Sequence, residues 1–288
     1  MRALQGQDLA PIGRIDLGDD ADNVRVDEAR NRVLVGYGRG SLAVIDPVGL
    51  SKTADIRLKA HPEGFQIDET GTQAFVNVPD AREISVVDLA TGATRSLPTQ
   101  GAGSNFPMAI NGAAHRVLVV FRSPPTLMAL SSQDGHVMAN SETCRDADDV
   151  FVDRKRGRVY VSCGQGVVDV LEGDEAGYRR LARVPTVPGA RTSLYGPELD
   201  RLFVAVRAGS NEPAAIWMFD CGGSERIGGF GEFHPEALHR LKLSGLADQH
   251  LGKVGVNSPI AGFVRVGQRR APNRFAEPHV IKLGGLGR

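Results

Sequence analysis

Two short acidic segments of the sequence have almost the same residues. Six oxygen-bearing side chains occupy matching positions in them, namely Asp20, Asp22, Asn23, Asp146, Asp148 and Asp149. Several carboxylates around one opening could bind a hard cation such as Ca²⁺. Asp and Asn also begin turns, because their side chains accept hydrogen bonds from nearby backbone N–H groups. We favour the turn interpretation, because repeated sequences copy turn residues as readily as ligands. A cation site remains the alternative interpretation.

A histidine and a glutamate lie close together in the segment His61-Pro62-Glu63. Such a pair could act as a general acid and base, because histidine titrates near neutral pH. A transition metal would require more nitrogen or sulfur ligands than the neighbouring loops supply. We therefore interpret His61 as a structural residue held by Glu63. The sequence leaves the metal content unknown and predicts no cofactor.

Three further polar residues fall in the same class of loop, namely Asn105, Arg122 and Arg191. The two arginines could offset the charge of the neighbouring carboxylates. We predict that these three residues, the six residues of the acidic segments, His61 and Glu63 form a binding surface. The Gly-x-Ser-x-Gly and His-Glu-x-x-His motifs do not occur in the sequence, and we predict no catalytic residue.

The elements that must position these loops are copies of one apolar tetrapeptide. The copies begin at residues 32, 73, 116, 158 and 201, with steps of 41, 43, 42 and 43 residues. A period in the forties with short strands is typical of propeller blades. The sequence therefore predicts an all-β fold, a β-propeller of four-stranded antiparallel blades with about five repeats. The last residue of each copy is expected to be buried: Val35, Val76, Val119, Val161 and Val204.

The geometry of a propeller predicts which polar residues lie at the same end of the central channel. The first strand of each blade lines a central channel. The loops that enter this strand, and those between the second and third strands, open on one face. We therefore expect six of these residues around one channel mouth: Asp22, His61, Glu63, Asn105, Asp148 and Arg191.

The repeats occupy residues 1–220, and residues 221–288 are predicted to form an irregular basic tail, disordered or with one short helix at 235–246. The tail contains ten Lys/Arg and five Asp/Glu, which leaves 24 basic and 29 acidic residues in 1–220. This acidic body does not favour nucleic acid binding, which needs a basic face. No run of eighteen apolar residues predicts a membrane span.

The first residues align with the third and fourth strands of the next repeat. We therefore expect an incomplete blade at 1–17, a chain truncated at its N-terminus, and an arc of blades that does not close well. The N-terminal residues lack an apolar signal core, so the chain as written would stay in the cytoplasm.

The three cysteines do not form a disulfide framework by number. Cys144 precedes the first strand of the fourth repeat, and Cys163 ends its second strand. Both are predicted at the same face, so a disulfide between them is geometrically possible. Free buried thiols are an equal alternative, and Cys221 is left unpaired.

The repeats resemble those of YVTN-family β-propellers of the YncE-like type. The resemblance rests on Tyr160-Val161-Ser162, on Phe75-Val76-Asn77 and on strands ending in Ile45-Asp46 and Val87-Asp88, and it covers about residues 1–220. It implies a bacterial protein with seven blades, an export signal and a periplasmic or secreted location. The chain departs from this pattern at both ends.

The leading functional interpretation is a non-enzymatic scaffold that binds an unknown protein or small molecule at the channel mouth. One alternative is a lactonase-like, metal-dependent hydrolase, which would need a metal bound by residues such as Glu63, Asn105 and Asp148. The other is a cofactor or electron-transfer propeller with His61 as axial ligand.

Overall fold

The computed structural model describes residues 1–174, 177–209 and 213–221, and the backbone of 239–241. It contains five four-stranded antiparallel sheets and one two-stranded sheet. The protein is therefore an all-β, five-blade propeller, as the repeat period predicts. No helix among these residues has the length and apolarity needed to cross a membrane.

The strands follow one another in chain order. The N-terminal pair and the first two blades are Arg2–Leu4 (β1), Pro11–Arg14 (β2); Ala21–Asp27 (β3), Arg32–Tyr37 (β4), Ser41–Asp46 (β5), Ser51–Arg57 (β6); Phe65–Ile67 (β7), Gln73–Val78 (β8), Glu83–Asp88 (β9), Thr94–Pro98 (β10). The third and fourth blades are Gly103–Asn111 (β11), Arg116–Ser123 (β12), Pro125–Ser131 (β13), Val137–Glu142 (β14); Ala147–Asp153 (β15), Arg158–Cys163 (β16), Val167–Gly173 (β17), Tyr178–Pro185 (β18). The fifth blade is Ser193–Gly196 (β19), Arg201–Val206 (β20), Ala215–Asp220 (β21), His239–Leu241 (β22). Short 3₁₀ helices lie at Glu28–Arg30, Pro79–Ala81, Gly112–Ala114 and Pro197–Leu199.

The first strands of successive blades contact one another, which places them innermost. The side-chain amide of Gln66 in β7 donates to the carbonyl of Met108 in β11, at 2.9 Å. The backbone N–H of Ser193 at the start of β19 donates to the carboxylate of Asp149 in β15, at 2.6 Å. The central channel is therefore lined by the first strand of each blade, as expected.

The repeated valines occupy equivalent places in the second strands. Each of them is 0% exposed: Val35, Val76, Val119, Val161 and Val204. Their side chains pack between sheets together with large residues of neighbouring blades, such as Phe65 and Phe75. The prediction of equivalent burial is confirmed, because each blade buries both faces against its neighbours.

The N-terminal pair has the predicted form. β1 and β2 pair antiparallel, and Ile15 and Leu17 pack against blade 1 beside Val35. Within the described chain, this two-stranded sheet pairs with no strand of the fifth blade. Strand pairing therefore does not join the two ends of the arc among these residues.

The C-terminal prediction needs a correction. Strand β22, His239–Leu241, pairs with β21 as the fourth strand of blade 5. The short helix predicted at 235–246 is therefore wrong at these three positions, where the unpaired edge of β21 accepts a strand. The rest of the predicted tail after Cys221 lies outside the described residues.

Candidate functional site at the channel mouth

The two acidic segments adopt the same backbone conformation. Asp20 and Asp146 both have a left-handed backbone, with φ values of 47° and 58°. Their carbonyl oxygens accept the N–H of Gly38 at 3.2 Å and of Gly164 at 2.8 Å, respectively. Asp tolerates this conformation better than most residues. The matching sequences therefore build matching loops at the entrances of blades 1 and 4.

The blade 4 loop carries two aspartates that bind two arginines. We call Arg122, Asp146, Asp148 and Arg191 the arginine cluster. Arg122 Nη2 lies 2.5 Å from Asp148 Oδ1, and its Nη1 lies 3.3 Å from Asp146 Oδ1. Arg191 Nη1 donates to Asp146 Oδ1 at 2.6 Å, and its Nε lies 3.4 Å from Asp148 Oδ2. The four side chains alternate in sign, so each carboxylate is compensated by both guanidinium groups.

The arginine cluster is held in place by its surroundings. The guanidinium group of Arg122 lies over the ring of Phe106, 3.9 Å from its centre, and Arg122 Nε donates to the carbonyl of Ala147 at 2.8 Å. A Cβ atom at Gly164 would lie 1.9 Å from Asp146 Oδ2, so only glycine leaves room for this carboxylate. The hydrogen bond from Arg191 to Asp146 raises the pKa of Arg191.

The blade 1 loop has a different set of neighbours. One ligand atom from each of Asp22, His61 and Glu63 lies within 4.8 Å of the other two. We call these three residues the histidine cluster. Asp22 is exposed, whereas His61 and Glu63 are half-buried. Asp22 comes from the entrance of blade 1 and the other two from the entrance of blade 2, so the cluster bridges two blades.

The ring of His61 has a defined tautomer. Its Nδ1 lies 2.5 Å from the carbonyl oxygen of Gly38 and 3.6 Å from Asp20 Oδ2. Because a carbonyl can only accept, Nδ1 is the donor, and the neutral ring carries its lone pair on Nε2. Gly38 has a φ of 60°, in the left-handed region that favours glycine. The turn between β4 and β5 thus orients the imidazole.

The carboxylates of the histidine cluster are less compensated than those of the arginine cluster. Across the described residues, the side chain of Asp22 has no hydrogen bond or ion pair. Burial, followed by the nearby charge of Asp22, raises the pKa of Glu63. The charges of Asp148 and Arg122 also act on Glu63, so the two clusters are close enough to interact electrostatically.

A second group of polar residues lies deeper, on the channel wall. Arg25 Nε donates to Gln66 Oε1 at 3.3 Å, and burial lowers the pKa of Arg25. Burial raises the pKa of Asp149 to about 6, although the N–H of Ser193 and the charge of Arg25 act in the opposite direction. Sequence reasoning missed Arg25, Gln66 and Ser193. The signal that could have identified them is a polar residue in the first strand of a blade, because that strand faces the water of the central channel.

The structure does not bring Asn105 to the mouth. Its side chain is fully buried, and its amide donates to Asn77 Oδ1 at 3.0 Å and to the carbonyl of Glu83 at 3.1 Å. Asn105 therefore joins blades 2 and 3 beneath the surface. Asn23 is half-buried at the start of β3. The remaining predicted residues lie in the two clusters, next to them, or on the channel wall.

Cys144 and Cys163 form a disulfide next to the arginine cluster, with their sulfur atoms 2.01 Å apart. The loop that it closes contains Asp146 and Asp148. Cys221 is a free, buried cysteine. The sequence left a disulfide and two free thiols as equal alternatives, and the structure has the disulfide, which ties the entrance of blade 4 to the end of β16.

Comparisons with known proteins establish the fold. No protein-family model matches the chain, and no curated protein matches it in sequence. A chain from the crystal structure of the mitotic checkpoint complex superimposes with a TM-score of 0.59 at 10% identity, over 73% of this chain and 62% of that chain. This chain thus spans less than two thirds of that neighbour. A chain of hydrazine synthase from Kuenenia stuttgartiensis superimposes with a TM-score of 0.62 at 15% identity, over 75% of this chain and 76% of that one. The protein is a five-blade β-propeller with propeller-fold structural neighbours.

Proposed function

We propose that this protein is a non-enzymatic β-propeller of the YVTN type, which binds a ligand or a protein at the channel mouth. The observation that carries the proposal is the convergence of the arginine cluster and the histidine cluster on one mouth. All five blades contribute to these seven charged or titratable side chains. The gathering of several carboxylates at one mouth supports a binding site, because like charges repel one another unless a cationic group offsets them.

The charge of the mouth indicates what the ligand presents. The arginine cluster contains two positive and two negative side chains and is neutral as a unit. The histidine cluster contains two carboxylates and an imidazole, and Asp20 adds a third carboxylate 3.6 Å from that ring. Uncompensated negative charge attracts cations. We therefore infer that the ligand presents a positive charge to Asp22 and Glu63.

Two further considerations support a scaffold. One structural neighbour belongs to a multi-protein assembly, the mitotic checkpoint complex, which agrees with a partner at the mouth. The Cys144–Cys163 disulfide supports export to the periplasm or the medium, because disulfides persist in oxidising compartments. The YVTN resemblance of the repeats points to the same location.

The hydrolase and cofactor alternatives gain less support. The metal ligands considered for a lactonase-like enzyme include Asn105 and Asp148. Asn105 is fully buried away from the mouth, and Asp148 is occupied by Arg122 and Arg191. The axial-ligand alternative rests on His61, and an absorption spectrum of the purified protein tests it.

A thermal-shift panel tests the proposal on the full chain. The panel contains arginine, spermidine, Zn²⁺ and a short lysine peptide as cations, with succinate and inorganic phosphate as anions. A ligand that binds the folded state alone raises the melting temperature by mass action. We expect at least one cation to stabilise the wild type and to lose this effect in the double variant Asp22→Asn, Glu63→Gln.

The control variant is Asp134→Asn, which removes an exposed carboxylate that pairs with His136 in a distant turn. It should respond to the panel like the wild type. Equal shifts in the wild type and the double variant would contradict the proposal, as would stabilisation by the anions alone.

A further inference from the structure

The histidine cluster combines three side chains that ligate metals. An imidazole and two carboxylates place one ligand atom each within 4.8 Å of one another. Ligands arranged tetrahedrally around Zn²⁺ at about 2.0–2.2 Å lie about 3.3–3.6 Å apart, so the three ligand atoms must move closer together to hold an ion. Asp22 is exposed, so its side chain has the most freedom to rotate.

The His61 imidazole makes the kind of hydrogen bond that a metal-binding histidine makes. Metal-binding histidines commonly donate their second ring N–H to a carbonyl or a carboxylate, which fixes the tautomer and raises the basicity of the other nitrogen. His61 Nδ1 donates to the carbonyl of Gly38 at 2.5 Å, with Asp20 Oδ2 at 3.6 Å. With Nδ1 as the donor, Nε2 is the ring nitrogen that could bind an ion.

The blade 4 loop provides an internal comparison. In both loops the next blade supplies a partner to the leading aspartate: Arg191 contacts Asp146 at 2.6 Å, and His61 contacts Asp20 at 3.6 Å. Asp146 is thus paired with a guanidinium group, whereas the partner of Asp20 is an imidazole at a longer distance. The guanidinium charges of Arg25 and Arg122 act on the histidine cluster, but neither forms an ion pair with it among the described residues.

We propose that Asp22, His61 and Glu63 bind a divalent transition-metal ion of the Zn²⁺ class, which supplies the missing positive charge at the mouth. This proposal rests on the proposed function, which puts the site at the channel mouth, and it specifies the class of cation that binds there. An imidazole ligand suits Zn²⁺, Cu²⁺ or Ni²⁺, whereas Ca²⁺ and Mg²⁺ prefer oxygen ligands throughout. This set of one imidazole and two carboxylates has fewer nitrogen ligands than the sequence analysis required for a transition metal, and three protein ligands leave a coordination position for a group from the partner.

The test uses the full chain after dialysis against EDTA. The protein is titrated with Zn²⁺ by calorimetry and with Co²⁺ by visible absorption, and Ca²⁺ and Mg²⁺ serve as comparison ions. The sequence contains seven histidines, so metal content alone does not locate the ion. The difference between the wild type and the variants His61→Ala, Asp22→Asn and Glu63→Gln does locate it.

We expect one Zn²⁺ or Co²⁺ per chain to be lost in His61→Ala, and the affinity to fall at least tenfold in Asp22→Asn and in Glu63→Gln. Ca²⁺ should bind at least tenfold more weakly than Zn²⁺. The matched control is His136→Gln, which removes a histidine that also pairs with a carboxylate, Asp134. It should retain the ion and its absorption bands.

The proposal is overturned if His61→Ala binds the same number of ions with the same affinity as the wild type. It is also overturned if the EDTA-treated wild type binds no transition metal below about 1 mM. Circular dichroism melting curves confirm that each variant is folded. If organic cations alone stabilise the wild type and require Asp22 and Glu63, the metal proposal fails while the proposed function stands.

Discussion

Arg191 Nη1 lies 2.6 Å from Oδ1 and 2.8 Å from Oδ2 of Asp146, so one guanidinium nitrogen contacts both oxygens of the carboxylate. At the matching entrance of blade 1, His61 lies 3.6 Å from Asp20 instead. Two loops with one backbone conformation therefore have different charge partners. The leading carboxylate of the blade 4 loop is paired with a guanidinium group, and that of the blade 1 loop lies beside an imidazole.

The arginine cluster should contribute to stability. Arg122→Ala removes two ion pairs, the contact with Phe106 and the hydrogen bond to Ala147. We expect the free energy of unfolding to fall by about 2 kcal/mol, because the lost bonds involve charged and partly buried groups. Urea unfolding at neutral pH measures this change.

The control for Arg122 is Arg39→Ala, in the exposed turn between β4 and β5. This change should cost about 0.5 kcal/mol or less, because it breaks no buried contact. Equal midpoints for the two variants would show that the arginine cluster adds nothing to stability.

The packing between blades leads to a second prediction. Phe75 is 0% exposed and packs among apolar residues of blades 2 and 3. Phe75→Ala should lower the free energy of unfolding by about 3–5 kcal/mol, because it removes buried surface and leaves a cavity. Thermal and urea unfolding measure the loss, and a change below about 1 kcal/mol would contradict the buried position.

The repeat period was sufficient to predict the blades. Five tetrapeptides at near-constant spacing can bury their valines equivalently only if each repeat forms the same packed unit, and the structure has all five at 0% exposure. The fourth strand of blade 5 could not be predicted. Leu241 also fits the apolar stripe of the helix predicted at 235–246, and the strand conformation accompanies pairing with the edge of β21.

The sequence predicted which loops form the candidate site, but it did not predict which side chains contact one another there. Propeller geometry placed Asp22, His61 and Glu63 near one mouth, because loops at one end of the strands converge. The burial of Asn105 depends on hydrogen bonds to residues 28 and 22 positions earlier in the chain, which no local pattern reveals. The partners of Asp146 likewise come from the neighbouring blades.

The disulfide gives a third prediction. The oxidised chain should have one thiol that reacts under denaturing conditions, Cys221, and the reduced chain should have three. Cys144 and Cys163 are 19 residues apart. Closing a loop of this length stabilises the folded state by about 3 kcal/mol, because it restricts the unfolded chain.

The variant Cys144→Ser, Cys163→Ser should lose about this amount in urea unfolding without reductant. Its stability should be insensitive to dithiothreitol, whereas dithiothreitol should weaken the wild type. Three reactive thiols in protein purified without reductant would contradict the disulfide.

Asp149 should make stability depend on pH. Burial raises the pKa of Asp149 to about 6 in the folded state, while an unfolded aspartate titrates near 3.9. Between these values the folded state binds more protons than the unfolded state, so stability decreases as pH rises through this window. Asp148 strengthens the effect, and Arg25 and the N–H of Ser193 oppose it.

The variant Asp149→Asn cannot titrate at this position, so the difference between the two proteins isolates the carboxyl group. As pH falls from 7 to 4, the wild type should gain up to about 3 kcal/mol relative to the variant, since two pKa units correspond to about that free energy. Urea unfolding at half-unit steps of pH measures the difference. Other titrating groups are common to both proteins and cancel. Parallel curves for the two proteins would mean that Asp149 has the same pKa in the folded and the unfolded state. Asp149 would then be solvated in the channel, with its charge compensated fully by Arg25 and Ser193.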